Sequence, residues 1–164
     1  MRAAALAGCA LLAACSGASP PQEQDAEDER AIAAVRDAQR PPPEPLDLQP
    51  ITFADIERED LFGAGCVFMP DGSTRTLALA QVDRGALKLD GRVVRFAPDA
   101  GSSEHPYGTR ARYTGPAHSF RLTIASDAGR QSGYETTDYP GELEVRDRYD
   151  RVLMQMAGRV QCGA

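Results

Sequence analysis

From Gly65 to the C-terminus, short apolar runs are separated by turn residues at intervals of roughly eight to twelve positions, which predicts an all-β domain. Cys66–Met69 precedes Pro70-Asp71-Gly72, where Pro and Gly take favoured turn positions. Thr76–Val82 alternates imperfectly and ends at Asp83-Arg84-Gly85. Ala86–Leu89 and Arg92–Phe96 flank Asp90-Gly91, a strong two-residue hairpin signal. Thr109–Thr114 and His118–Ala125 flank Gly115-Pro116, and in the second run Phe120, Leu122 and Ile124 share one face. Glu142–Arg146 places Leu143 and Val145 inward, and Arg151–Gln161 carries Val152, Met154 and Met156. Short local connections between about eight such strands favour antiparallel neighbours. The expected fold is all-β, a small antiparallel meander closing into a barrel or sandwich.

The pattern upstream is different. Thr52-Phe53-Ala54-Asp55 has a cap residue with an acid three positions on, so a short helix is expected from Phe53 to Asp60, with Gly63 as its stop. Phe53 and Ile56 would share a face able to cover an open end or edge of the sheet. The β domain is therefore read as residues 51–164 and residues 15–50 as an acidic, Pro-rich, largely disordered tether. Within it, residues 25–39 lack Gly and Pro, and acids lead while Arg36 trails, which favours a helix. Its only large apolar side chains are Ile32 and Val35. Pro41-Pro42-Pro43 stops that helix and stiffens the spacer. Fully extended, residues 16–50 would reach about 120 Å.

At the N-terminus, Met1-Arg2 and the small apolar stretch Ala3–Ala14 match the n- and h-regions of a secretory signal, too short to span a bilayer. Leu12-Ala13-Ala14-Cys15 resembles the lipobox of bacterial lipoproteins. That resemblance implies a diacylglyceryl group on the Cys15 thiol, cleavage after residue 14 and acylation of the new amine, giving an anchor of several chains. Leu6-Ala7-Gly8-Cys9 fits the same box but leaves almost no h-region before it. Ser16 after the lipidated cysteine resembles the outer-membrane sorting class of Gram-negative lipoproteins. The expected location is thus the outer membrane, facing the periplasm.

Charge sharpens the division. Of the net −6, residues 23–60 contribute −8, whereas residues 61–164 carry +1. An acidic tether on a near-neutral domain argues against nucleic acid and anionic lipid surfaces as partners. An exported chain lies in an oxidising compartment, and Cys66 and Cys162 are the cysteines left once Cys9 leaves with the signal and Cys15 is lipidated. A disulfide between them would tie the first strand to the last. Neither CxxC spacing nor a nearby His favours a metal or redox pair instead.

No catalytic signature stands out. His105 and His118 are isolated, Ser102, Ser103 and Ser119 lack a nucleophile elbow, and there is no phosphate-binding Gly loop. No metal or cofactor is expected. Gly133–Gly141 reads as the longest polar connection, and Tyr134, Glu135, Thr136, Thr137, Asp138 and Tyr139 within it have the composition of a recognition surface. The simpler reading of the same residues is a structural crossover whose Tyr rings cap the barrel end and whose Thr and Asp satisfy its backbone. Pro106-Tyr107-Gly108 is a second, smaller candidate.

As a whole the chain resembles small Gram-negative lipoproteins with a lipobox, a Pro-rich tether and a two-cysteine β domain. Its layout is also similar to the membrane-bound inhibitors of c-type lysozyme, whose Ala-Arg-Tyr stretch is echoed in Ala111-Arg112-Tyr113-Thr114-Gly115. That family continues with an aromatic-rich strand and a Lys-Gly loop; Phe120–Gly129 holds neither Trp nor Lys, so no inhibitory residue is transferred. The expectation is a non-catalytic envelope lipoprotein, held to the membrane through lipid on Cys15, whose β domain binds an envelope protein, a glycan or a small ligand, or plays a structural part. A lysozyme-inhibitor-like protein and an enzyme of unrecognised type are the alternatives.

Overall fold

The computed structural model describes residues 21–164, with backbone alone at positions 21 and 126. The expected export signal, with Cys9, Cys15 and Ser16, lies outside the described residues. The chain forms two compact units, the second spanning Pro43–Ala164. In the first, helix α1 (Pro21–Ala38) begins a turn earlier than expected, because Pro is favoured in the first turn of a helix. Ile32 and Val35 stand exposed on it, and Asp37 pairs with Arg40 at 2.8 Å.

The second unit is a closed antiparallel barrel. Its strands are β1 (Leu48–Gln49), β2 (Gly65–Pro70), β3 (Ala78–Gln81), β4 (Gly85–Leu89), β5 (Arg92–Pro98), β6 (Arg112–Thr114), β7 (His118–Ile124), β8 (Arg130–Gln131), β9 (Thr137–Asp147) and β10 (Val152–Gly163). The wall runs β4-β3-β2-β10-β9-β7-β6-β5, and β5 returns to pair with β4. Eight strands thus close on themselves, which decides for the barrel over the sandwich. The two-residue strands fill gaps in the wall. β1 pairs β4 at Leu89 and Lys88, beyond the reach of β3, and β8 pairs β9 at Asp138 and Thr137, beyond the end of β7.

Several local signals act as expected. Asp90 and Gly91 both take positive φ (48° and 78°), the backbone a tight β4–β5 hairpin requires. Phe120 and Leu122 point inward, as do Leu143 and Val145, and all four are buried. Val152 does not: a register shift between Val152 and Met154 turns it toward solvent, leaving Met154 and Met156 to pack against the core. The lumen is filled by Phe68, Tyr113, Phe120, Leu87, Leu122, Leu143, Val145 and Val160. Cys66 and Cys162 are cross-strand partners on β2 and β10, with Cα atoms 4.0 Å apart, joined by a disulfide.

Helix α2 (Phe53–Glu59) has the capping box: the Thr52 hydroxyl accepts from the Asp55 amide, and the Asp55 carboxylate accepts from the Thr52 amide. It ends at Asp60 in the left-handed conformation, not at Gly63. Nor does it plug an end or edge of the sheet. It lies on the outer wall, where Ile51, Ile56 and Leu61 cover the outward side chains of Val67, Leu79, Ala86 and Val93. Strand β3 is consequently buried on both faces, Ala78 and Ala80 inward and Leu79 outward. That is why Thr76–Val82 alternates so poorly. The entry strap also belongs to the barrel: Leu46 and Leu48 pack against its core, so the unit begins at Pro43 and not at residue 51.

Asp55 pins α2 to this wall. The residue is 2 % exposed, and its carboxylate receives the Lys88 ammonium at 2.8 Å, the Thr52 hydroxyl at 2.7 Å and the Arg58 guanidinium. Lys88 first, then the Thr52 amide and hydroxyl, hold its carboxyl far below the usual carboxylate range against the opposing effect of burial. A carboxyl lowered on folding stabilises above its unfolded value of about 3.9 and loses that contribution as pH falls through and below it. Asp55→Asn is expected to destabilise by about 2 kcal/mol at pH 7, because Lys88 and Arg58 keep access to water. Denaturant midpoints at pH 7 and pH 3 check this: the gap between wild type and variant narrows in acid.

Candidate functional site

The barrel has two dissimilar ends. At one, the chain enters, with the Asp47 carbonyl accepting from the Asp90 amide at 3.2 Å, beside the tight turns at Asp90-Gly91 and Gly115–Ala117. At the other lie the two long connections, residues 99–111 and 125–136, with Asp83-Arg84 between β3 and β4. These long loops meet. The Tyr107 hydroxyl donates to the Glu135 carbonyl at 2.7 Å, so the two segments singled out in the sequence form one surface.

The first loop is built to hold Tyr107 in place. His105 Nε2 donates to the Leu122 carbonyl at 3.0 Å, and the buried Thr109 hydroxyl donates to the Pro106 carbonyl at 3.0 Å. Below it, the Tyr113 hydroxyl accepts from the Arg110 amide and donates to the Gln81 carbonyl. Tyr113, centre of the Ala111–Gly115 stretch, is thus wholly interior, and burial raises its phenol above the ordinary value. Tyr107 itself sits at φ 60°, ψ 26°, left-handed backbone that a non-glycine residue takes only under constraint.

The second segment divides. Tyr134 is 96 % exposed, and Glu135 contributes its carbonyl to Tyr107. Thr137, Asp138 and Tyr139 are not loop residues: they open β9, opposite Cys162, Gln161 and Val160. Asp138 is buried, accepting from Ser132 Oγ at 2.9 Å and Gln161 Nε2 at 2.8 Å, with Arg159 at 3.5 Å. Tyr139 is half-buried against the core, so close to Gly129 that a Cβ there would lie 2.4 Å from its ring. Pro140-Gly141, expected to end the polar connection Gly133–Gly141, instead continues the strand. The Pro140 carbonyl points toward Ala125, and its nitrogen shares that side, in the gap between β7 and β8 where no ladder bond is required. Of the six candidates, only Tyr134 and Glu135 remain presented, while Thr136 packs beside Gly133 and Gly163.

The rim has members that sequence reasoning missed. Val82 is 62 % exposed beside Gly108, and Phe62, whose carbonyl accepts from Gln81 Nε2, is exposed with its ring edge-on to Phe53 at 6.2 Å. An apolar residue placed directly against turn residues, as in Val82-Asp83 and Phe62-Gly63, was the available signal.

At the entry end, His118 lines a cleft of about 510 Å³ with Leu89, Val94, Phe96 and Pro116, flanked by Asp90 and Arg92; none of the lining side chains carries a hydroxyl. Among the described residues no three His, Cys, Asp or Glu side chains are grouped as metal ligands. Compared with known proteins, the chain matches no family model, no curated protein and no solved structure.

Proposed function

We propose that this chain is an envelope lipoprotein anchored through lipid on Cys15 in the outer membrane, whose barrel is a non-catalytic binding module for a periplasmic protein or glycan. The lipobox at Leu12–Cys15 supports the anchor, and a disulfide between Cys66 and Cys162 suits an oxidising compartment. The observation that carries the binding role is the rim opposite the point of chain entry. There Tyr107 is held in strained backbone and bonded to the loop that presents Tyr134. Strain of this kind persists where the surroundings enforce it, and it concentrates at ligand-contacting sites. Tyr rings with adjacent hydrogen-bonding groups offer rigid amphipathic contact at little entropic cost.

Affinity capture of the full chain from envelope membranes, read by protein and sugar mass analysis, tests both parts. Cys15→Ser is expected to shift the chain from the membrane to the soluble fraction. Tyr107→Ala with Tyr134→Ala is expected to stay at the membrane and lose at least about tenfold of the recovered partner, in line with aromatic hot spots. Unchanged recovery would reduce the rim to scaffold.

A further inference from the structure

We propose that the outer face of β6, β7 and β9 binds the phosphate of a phosphomonoester, at a site separate from the tyrosine rim. Tyr113, Phe120, Leu122, Leu143 and Val145 occupy the inward positions of these strands. Alternation therefore sends Arg112, Ser119, Arg121, Glu144 and Arg146 outward. The register makes Arg112 the direct partner of Arg121, Arg121 of Glu144, and Ser119 of Arg146. Together with Asp150 they line a cavity of about 140 Å³. That is room for a phosphate.

Three guanidinium groups face two carboxylates here, and the carboxylates are unevenly shared. Glu144 is gripped by Arg146 through both oxygens, at 2.6 and 3.1 Å, and Arg146 holds its carboxyl below the usual range. Asp150 lies 3.5 Å from Arg146 and 3.6 Å from Arg112. The Arg121 guanidinium makes no hydrogen bond and no close ion pair among the described residues: it stands directly across from Arg112 on one side and acts on Glu144, already gripped by Arg146, only through its charge on the other. Like charges in directly opposed positions destabilise a sheet. Ser119 lines the same cavity, and its hydroxyl makes no hydrogen bond among the described residues, which leaves it free to donate into the cavity.

One ligand answers the opposed charges and uses the free hydroxyl. An oxyanion in the cavity would accept from the Arg121 and Arg112 guanidiniums and from the Ser119 hydroxyl, separating the opposed charges. Donors arriving from side chains on different strands suit a tetrahedral anion with several acceptor oxygens, and guanidinium forks match phosphate geometry.

The test is calorimetric titration of the full chain in non-ionic detergent at constant ionic strength. One arm uses inorganic phosphate, the other mixed micelles containing phosphatidic acid or phosphatidylcholine. Saturable one-to-one binding of phosphate assigns the site to soluble phosphomonoesters. Binding confined to phosphatidic acid assigns it to a lipid headgroup. In either case Arg121→Gln is expected to weaken binding at least about tenfold, the loss of one charge-assisted contact. Ser119→Ala weakens it less. Arg75→Gln, an equal change of charge on the β2–β3 connection, leaves it unchanged. Because Arg121 makes no hydrogen bond or close ion pair and opposes Arg112, R121Q is expected not to lower the unfolding temperature, which separates lost binding from lost fold. No saturable binding in either arm, or equal weakening by Arg75→Gln and Arg121→Gln, overturns the proposal.

Discussion

Removing the Cys66–Cys162 bridge, by reduction or as Cys66→Ala with Cys162→Ala, is expected to lower the stability of the barrel by about 4 kcal/mol. The bridge spans 96 residues of sequence, nearly the whole barrel wall, so cutting it restores much of the loop entropy of the unfolded chain. Its position adds to the effect. Strands β2 and β10 are the first full strand and the last, and their pairing is the seam where the two halves of the chain meet. With Cys66 opposite Cys162 the bond also fixes the register of that seam, which otherwise forms only after the intervening strands are ordered. Both sulfurs belong to buried residues, so solvation of the freed thiols recovers little. Denaturant unfolding with and without reductant measures the loss, and the thermal midpoint should fall by roughly 15 °C. Coincident unfolding curves would show that the bridge does not constrain the unfolded chain.

Phe120→Ala is expected to destabilise by about 3–5 kcal/mol, the range for emptying a buried aromatic position. Phe120 is the hub of the lumen. Its ring stacks on Tyr113 at 5.0 Å, meets Phe96 edge-on at 5.2 Å, and is 1 % exposed. The opposite wall is shaped to it: a Cβ at Gly85 would lie 2.6 Å from Phe120 Cζ and 2.7 Å from Tyr113 Cδ1. The backbone of β4 therefore touches the rings directly, and this closed wall cannot collapse into the hole that alanine leaves. Chemical denaturation gives the magnitude, and loss of near-ultraviolet circular dichroism would report the unstacked tyrosine. A cost below about 1 kcal/mol would mean that the site relaxes, contrary to close packing.

How much of the fold was legible follows from how local each signal is. Asp90-Gly91 specified its hairpin because two adjacent residues must accept positive φ. Thr52 and Asp55 specified the start of α2 because a capping box lies within four residues of chain. Phe120, Leu122, Leu143 and Val145 declared their faces because their strands have one wet side. The candidate site was legible only in outline. Tyr134 and Tyr107 were visible as exposed turn residues, whereas Asp138 and Tyr139 look equally polar in sequence and lie in a strand. Their burial depends on β8, Gln161 and Gly129, which no sequence window around them contains.

The sequence by itself determined the all-β class, the antiparallel hairpins, the capped helix and the cysteine pair, since turn chemistry, period-two alternation and composition are properties of neighbouring residues. Tertiary structure alone decided that the sheet closes through β4 and β5 and that α2 buries a second face of β3. It alone brought Tyr107 to Glu135 and set Arg112, Arg121 and Arg146 around one cavity. The reason is physical: a residue's second face and its cross-strand partner are set by segments far away in the chain, through pairings that exist only once the barrel has closed.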